Sequence, residues 1–88
     1  MDIQPMFRCA VGIDLHLALI CVCIIIAQPG VEPVVHRREF GGLQRDRRAM
    51  ADWIASFKPD IVVMESTGIY WKSPYAALEK VGIQAQVV

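Results

Sequence analysis

Eleven consecutive apolar residues, Leu17 to Ala27 (LALICVCIIIA), constrain this chain more than any other feature. A membrane-spanning helix needs about 20 such residues, so the run is too short to cross a bilayer. It also makes a poor secretion signal. The residues before it carry Asp2 and Asp14 against a single arginine, Arg8, and no small-residue cleavage site follows. Its β-branched content (Val22, Ile24, Ile25, Ile26) and the Pro29-Gly30 pair beyond it point to a buried strand. With 55% hydrophobic residues in 88, the chain is too apolar to be disordered. Some of that apolar material is expected to need a partner, either another subunit or a further part of the same protein, and self-association is expected of the isolated chain. A soluble, cytoplasmic protein follows.

Around this run the period changes twice. Residues 1–7 read as a lead-in. From Arg8 to Leu15, Cys9, Val11, Ile13 and Leu15 alternate with Ala10, Gly12 and Asp14, the period of a strand. Residues 17–27 form the second strand, Gln28 to Pro33 a turn, and Val34 to Phe40 a third strand that Gly41-Gly42 breaks. Leu43, Met50, Trp53, Ile54 and Phe57 then share one stripe of a helix over roughly 43–57, stopped by Pro59. Ile61 to Met64 reads as a short strand covered on both faces, ending at Glu65. Ser73 and Pro74 suggest the cap and first residue of a second helix, about 74–81, with Gly82 as its stop. Ile83 to Val88 begins a fifth strand, and the chain ends inside that apolar pattern as a truncated protein would. The order is β-β-β-α-β-α-β in a mixed α/β sheet, incomplete at its C-terminus. The first three strands are expected to form an antiparallel meander that the later ones join in parallel by right-handed crossovers.

Nine Lys and Arg balance nine Asp and Glu, which removes the simplest sign of a nucleic-acid binder, a strongly basic chain. The charges are uneven, however. Arg37, Arg38, Arg45, Arg47 and Arg48 face only Glu39 and Asp46 within their stretch. They read either as a solvated helix face with its flanking strand or as a phosphate-contacting patch. Cys9, Cys21 and Cys23 follow no disulfide or metal spacing and are expected to be buried free thiols in a reducing compartment.

Asp14 ends the first strand and Glu65 the fourth. Functional groups gather beyond the carboxyl ends of strands in open α/β sheets. If these strands are neighbours, two hard oxygen ligands meet at one end of the sheet, a donor set suited to Mg²⁺ or Mn²⁺ and to phosphodiester chemistry. If they are not, the two are ordinary surface acids. His16 is a surface residue or a phosphate or outer-sphere contact. Thr67 and Gly68 form a plain turn or allow close approach of a nucleic-acid backbone. Tyr70 and Trp71 are packing groups or base-stacking platforms.

The segments CAVGIDLH (9–16), ADWI (51–54), VVMESTGIYWKSPYAALE (62–79) and the closing GIQAQVV resemble the N-terminal domain of the insertion-sequence-110 family of transposases, over about residues 8–88. The resemblance implies a ribonuclease-H-like fold of the RuvC type with a DEDD acidic set that binds divalent metal, Mg²⁺ or Mn²⁺. Asp14 matches its first aspartate and Glu65 its glutamate. The family's other two aspartates and its serine-bearing second domain fall further along the family's chain than the match extends, so a fragment inactive by itself is expected. Family members recombine DNA to move their element, and some are guided by a non-coding RNA; DNA, a guide RNA and further copies of the chain are the implied partners. His16, Arg45, Arg47, Arg48, Thr67 and Gly68 are the candidate nucleic-acid contacts. The chain departs from similar sequences after His16, where Leu17 and a solid apolar run replace a lysine and a more polar second strand. Two rivals are a non-catalytic remnant that binds nucleic acid or pairs with a full-length copy, and a nucleotide-binding domain of the actin and sugar-kinase type. The latter needs a small Gly, Ser or Thr turn where Leu15-His16-Leu17 stands.

Overall fold

The computed structural model describes residues 8–66 and 68–88. The lead-in expected over 1–7 lies outside them. Three strands, β1 (Cys9–His16), β2 (Leu19–Ile26) and β3 (Val34–Gly41), form the antiparallel meander. Leu17 and Ala18 make the turn between the first two, with His16 opposite Leu19 and Cys9 opposite Ile26. The helix α1 (Gln44–Ser56) leads to β4 (Ile61–Ser66), which pairs with β1 in parallel. The helix α2 (Lys72–Lys80) leads to a short β5 (Gln86–Val87), parallel to β4. The sheet order is β3-β2-β1-β4-β5.

That order determines where the helices go. Both crossovers, β3 to β4 and β4 to β5, step in the same direction across the sheet between parallel strands. Right-handed connections that step the same way place their helices on the same face. The core accordingly lies on one side. It holds Cys9, Val11, Ile13 and Leu15 of β1, Ile20, Val22 and Ile24 of β2, and Val62 and Met64 of β4. Met50, Ala51 and Ile54 of α1 and Leu78 of α2 pack against them. The opposite face is open among the described residues. Within the apolar run, Ile24 is fully buried while its neighbour Ile25 is 42% exposed. The expectation that the fourth strand is covered on both faces is corrected in the same way, because Ile61 and Val63 are only half-buried.

The entry to α1 is set by Asp46, whose Oδ2 accepts the Leu43 N–H at 3.2 Å. Gly41 makes room for this carboxylate: a Cβ there would lie 2.6 Å from Asp46 Oδ2. Leu43, expected on the buried stripe, is instead the exposed residue preceding the helix. At the other end Lys58 adopts φ 50°, a left-handed conformation that costs an L-residue roughly 1–2 kcal/mol. Lys58→Gly should therefore raise stability by about 0.5–1 kcal/mol, read as a melting temperature several degrees higher. A lower melting temperature would show that Lys58 makes a compensating contact.

The helix α2 starts two residues earlier than Ser73-Pro74 suggests. Ser73 caps nothing, and Pro74 is the third helical residue, still inside the first turn where a missing N–H costs no helical hydrogen bond. Tyr75 N–H donates to the Trp71 carbonyl at 2.9 Å, which closes that first turn. The helix does stop at Gly82, as expected. With φ 83° it lets Gly82 N–H reach the Glu79 carbonyl at 3.0 Å and Ile83 N–H the Leu78 carbonyl at 2.9 Å. These two bonds satisfy the Leu78 and Glu79 carbonyls in the last turn of the helix.

Asp60, just before β4, clamps the start of β1. Its Oδ2 accepts the N–H groups of Arg8 and Cys9 at 2.8 and 2.9 Å, and its own N–H donates to the Cys9 carbonyl at 2.8 Å. This clamp sets the β1–β4 register from its lower end. Asp60→Ala should lower stability by about 1–2 kcal/mol, seen as an earlier urea midpoint; an unmoved midpoint would show that the strands hold their register without it.

Candidate metal and nucleic-acid site

Counting five residues up each strand from the clamp brings Asp14 opposite Glu65. Both lie on the open face, since alternation sends Ile13, Leu15 and Met64 inward. Both are exposed, on strands about 4.8 Å apart. Pairing extends the row across four strands: Glu39, Cys21, Asp14, Glu65. A shallow groove of about 450 Å³, whose lining includes Arg37, Cys23 and Gly12, runs beside this row.

Two residues beyond Asp14 on the same side of β1, His16 places Nε2 3.2 Å from Asp14 Oδ2. Glu65 makes no ion pair among the described residues. The donor set fits a hard divalent cation in its chemistry: two solvent-accessible carboxylates with no thiolate or amine between them. No group of three His, Cys, Asp or Glu poised to hold a metal occurs among the described residues. Asp14 and Glu65 are the residues that would hold such an ion, which would supply charge stabilisation to a phosphodiester there.

The cysteines depart from expectation. Cys9 is buried in the core, but Cys21 and Cys23 are half-buried and line the open groove. Their parity within the apolar run sends them away from the helices. Desolvation, and then the Glu39 and Asp14 carboxylates, push the Cys21 thiol above its ordinary pKa, so it is a protonated neighbour of the acidic pair. Burial and then Asp60 raise Cys9 likewise.

The arginine cluster is dispersed. Arg37 faces the open groove. Arg38 lies over the rings of Phe40 and Trp53, at 4.7 and 5.5 Å, a packing role. Arg45 is 83% exposed and lies 3.8 Å from Asp46. Arg47 donates to the Gly42 carbonyl, and with Arg48 it lines a depression between the two helices. The first turns of both helices are at the sheet end that carries the carboxylates, so these arginines flank that end from the helix side. Thr67 lies outside the described residues. Gly68 is exposed with φ 68°, a conformation that favours glycine. Trp71 packs edge-on against Tyr75, whereas Tyr70 is 48% exposed. Sequence reading missed Glu39, Cys21 and Asp60. The only sign of the first two was their parity within strands, which has no meaning until the register is known.

Sequence comparison matches the chain to no family model and no curated protein. Solved structures do resemble it. Thermus thermophilus RuvC aligns with a TM-score of 0.68 at 12% identity, over 91% of this chain and 63% of that one. The fowlpox virus resolvase, solved with its substrate Holliday-junction DNA, aligns with a TM-score of 0.54 at 15% identity, over 91% of this chain and 58% of that one. An Aquifex aeolicus Ppx/GppA enzyme aligns with a TM-score of 0.60 at 11% identity, over 93% of this chain and 36% of that one. The fold is thus the mixed-sheet, RuvC-type, ribonuclease-H-like fold, and the chain spans less than two-thirds of each of these proteins. No helix among the described residues is long and apolar enough to cross a membrane.

Proposed function

We propose that this chain is the N-terminal part of the catalytic domain of a DNA transposase of the insertion-sequence-110 kind, which cleaves and transfers DNA strands with a divalent metal. The observation that carries this reading is the placement of Asp14 and Glu65 at the same register of adjacent parallel strands, exposed on one face. Asp14 and Glu65 would hold Mg²⁺ or Mn²⁺. When bound, such an ion supplies stabilisation of the charge that develops on a phosphodiester and helps to activate the attacking hydroxyl. His16, whose Nε2 lies 3.2 Å from Asp14 Oδ2, is placed to orient that carboxylate. Arg47 and Arg48, with Arg45 at their edge, offer cations to the backbone; Gly68 lets it approach closely, and Thr67 is assigned to the same contact. Two acidic ligands are half of the DEDD set, so the activity belongs to a longer polypeptide that supplies the other aspartates and the serine domain. DNA is the substrate, a guide RNA and further copies of the chain are its partners, and the cytoplasm is its compartment.

The resemblance to RuvC and to a resolvase supports DNA cleavage, whereas the likeness to a Ppx/GppA phosphatase raises phosphoanhydride hydrolysis of small phosphorylated molecules as the alternative. The β1–β2 turn favours the first reading. Leu17-Ala18 is a two-residue connection without glycine, and Leu17 is 77% exposed, so it forms no loop of small residues around a phosphate. The deciding experiment offers the complete polypeptide DNA carrying its element ends and, separately, polyphosphate and nucleoside triphosphates, each with Mg²⁺. Strand cleavage without phosphate release supports the proposal, and the reverse pattern removes it. DNA binding with neither activity leaves the non-catalytic remnant.

A further inference from the structure

Three depressions adjoin through shared residues. The first, beside Asp14 and Glu65, shares Leu15 and His16 with a second at the carboxyl end of the sheet. The second shares Arg47 and Ser73 with a third, of about 420 Å³, that runs between α1 and α2 to Lys80. Together they form a trough that starts at the acidic pair, turns round the end of the sheet, and continues along the helical face. Past the acidic pair its charge is positive: Arg47, Arg48 and Lys80 line it against a single carboxylate, Asp52. Neither Arg48 nor Lys80 is in an ion pair among the described residues. At the bend stands the half-exposed ring of Tyr70.

We propose that this trough takes a single-stranded nucleic-acid segment, its phosphates along Arg47, Arg48 and Lys80 and one base stacked on Tyr70. The inference rests on the reading of the acidic pair as the cleavage site and names the path of the strand attached to it. A cationic groove with an aromatic at one point is the arrangement that holds single strands without reading sequence. A duplex offers no free base face to Tyr70. The trough also wraps from one face of the sheet to the other, and a flexible strand follows such a bend where a stiff duplex does not.

The test measures binding of a fluorescent oligothymidylate of about eight nucleotides, and of a duplex of equal length, to the full chain across a salt series. The double variant Arg48→Gln/Lys80→Gln should reduce the log–log salt slope for the single strand by about 1.4. Tyr70→Ala should weaken single-strand binding about 5- to 100-fold and leave duplex binding unchanged. Lys58→Gln, at the far end of α1, should change neither, and circular dichroism shows that each variant is folded. An unchanged slope in the double variant, or an equal effect of Tyr70→Ala on both ligands, overturns the proposal. Mn²⁺ binding by the same chain and by Asp14→Asn separates the two claims. Loss of Mn²⁺ affinity with an unchanged salt slope removes the trough and keeps the acidic site. A reduced slope with Mn²⁺ affinity untouched by Asp14→Asn keeps the trough and removes the metal site.

Discussion

Asp14→Asn and Glu65→Gln should each reduce strand cleavage by the complete polypeptide on the order of 10³-fold or more while leaving the fold intact. Each change keeps the shape of the side chain and removes one anionic oxygen ligand. Neither residue contributes to the core, and both project from strand ends on the open face. Melting temperatures should therefore stay within a few degrees of the parent, and Mn²⁺ affinity should drop in both variants. Asp14→Asn also removes the ion pair with His16, an exposed contact of little weight for stability. Cleavage at the parent rate in either variant would dismiss that residue as a ligand. A loss of activity accompanied by unfolding would assign it a structural role instead.

Ile24→Ala should cost about 2–5 kcal/mol, and Ile25→Ala less than about 1 kcal/mol. The two residues are chemically identical neighbours in the same strand. Ile24 is fully enclosed between the sheet and the helices, while Ile25 is 42% exposed on the open face. A domain of this size is stable by roughly 5–10 kcal/mol, so the first change removes a large share of the total. It should shift the melting temperature by about 10 °C or more. Equal costs would mean that the open face is covered in solution, which would itself reveal a second packing layer.

Much of the fold was legible because it rests on local signals. The alternation from Cys9 to Leu15 marks a strand and its inward side. The stripe through Met50, Ile54 and Phe57 marks a helix, and Gly82 marks the end of another. The misreadings occurred where two local rules compete. Ser73-Pro74 is a good cap and first residue, but the chain has already entered a turn at Trp71, and proline is tolerated anywhere in the first helical turn. Leu43 falls on the hydrophobic stripe, yet it precedes the helix and takes an extended conformation.

Local pattern was enough to specify the element types, their order and the position of one carboxylate at each of two strand ends. It was also enough to turn Asp14 away from the core, because β1 alternates and its period assigns a side to every residue. The facing of β2 came from packing instead. Eleven apolar residues in a row contain no period of two, so nothing local sends Ile24 inward and Cys21 toward the acidic pair. Sheet order and register have the same origin. Pairing β1 with β4 spans some fifty residues, and it is set by the β3–α1–β4 crossover and the Asp60 clamp at Cys9, neither of which any local pattern encodes.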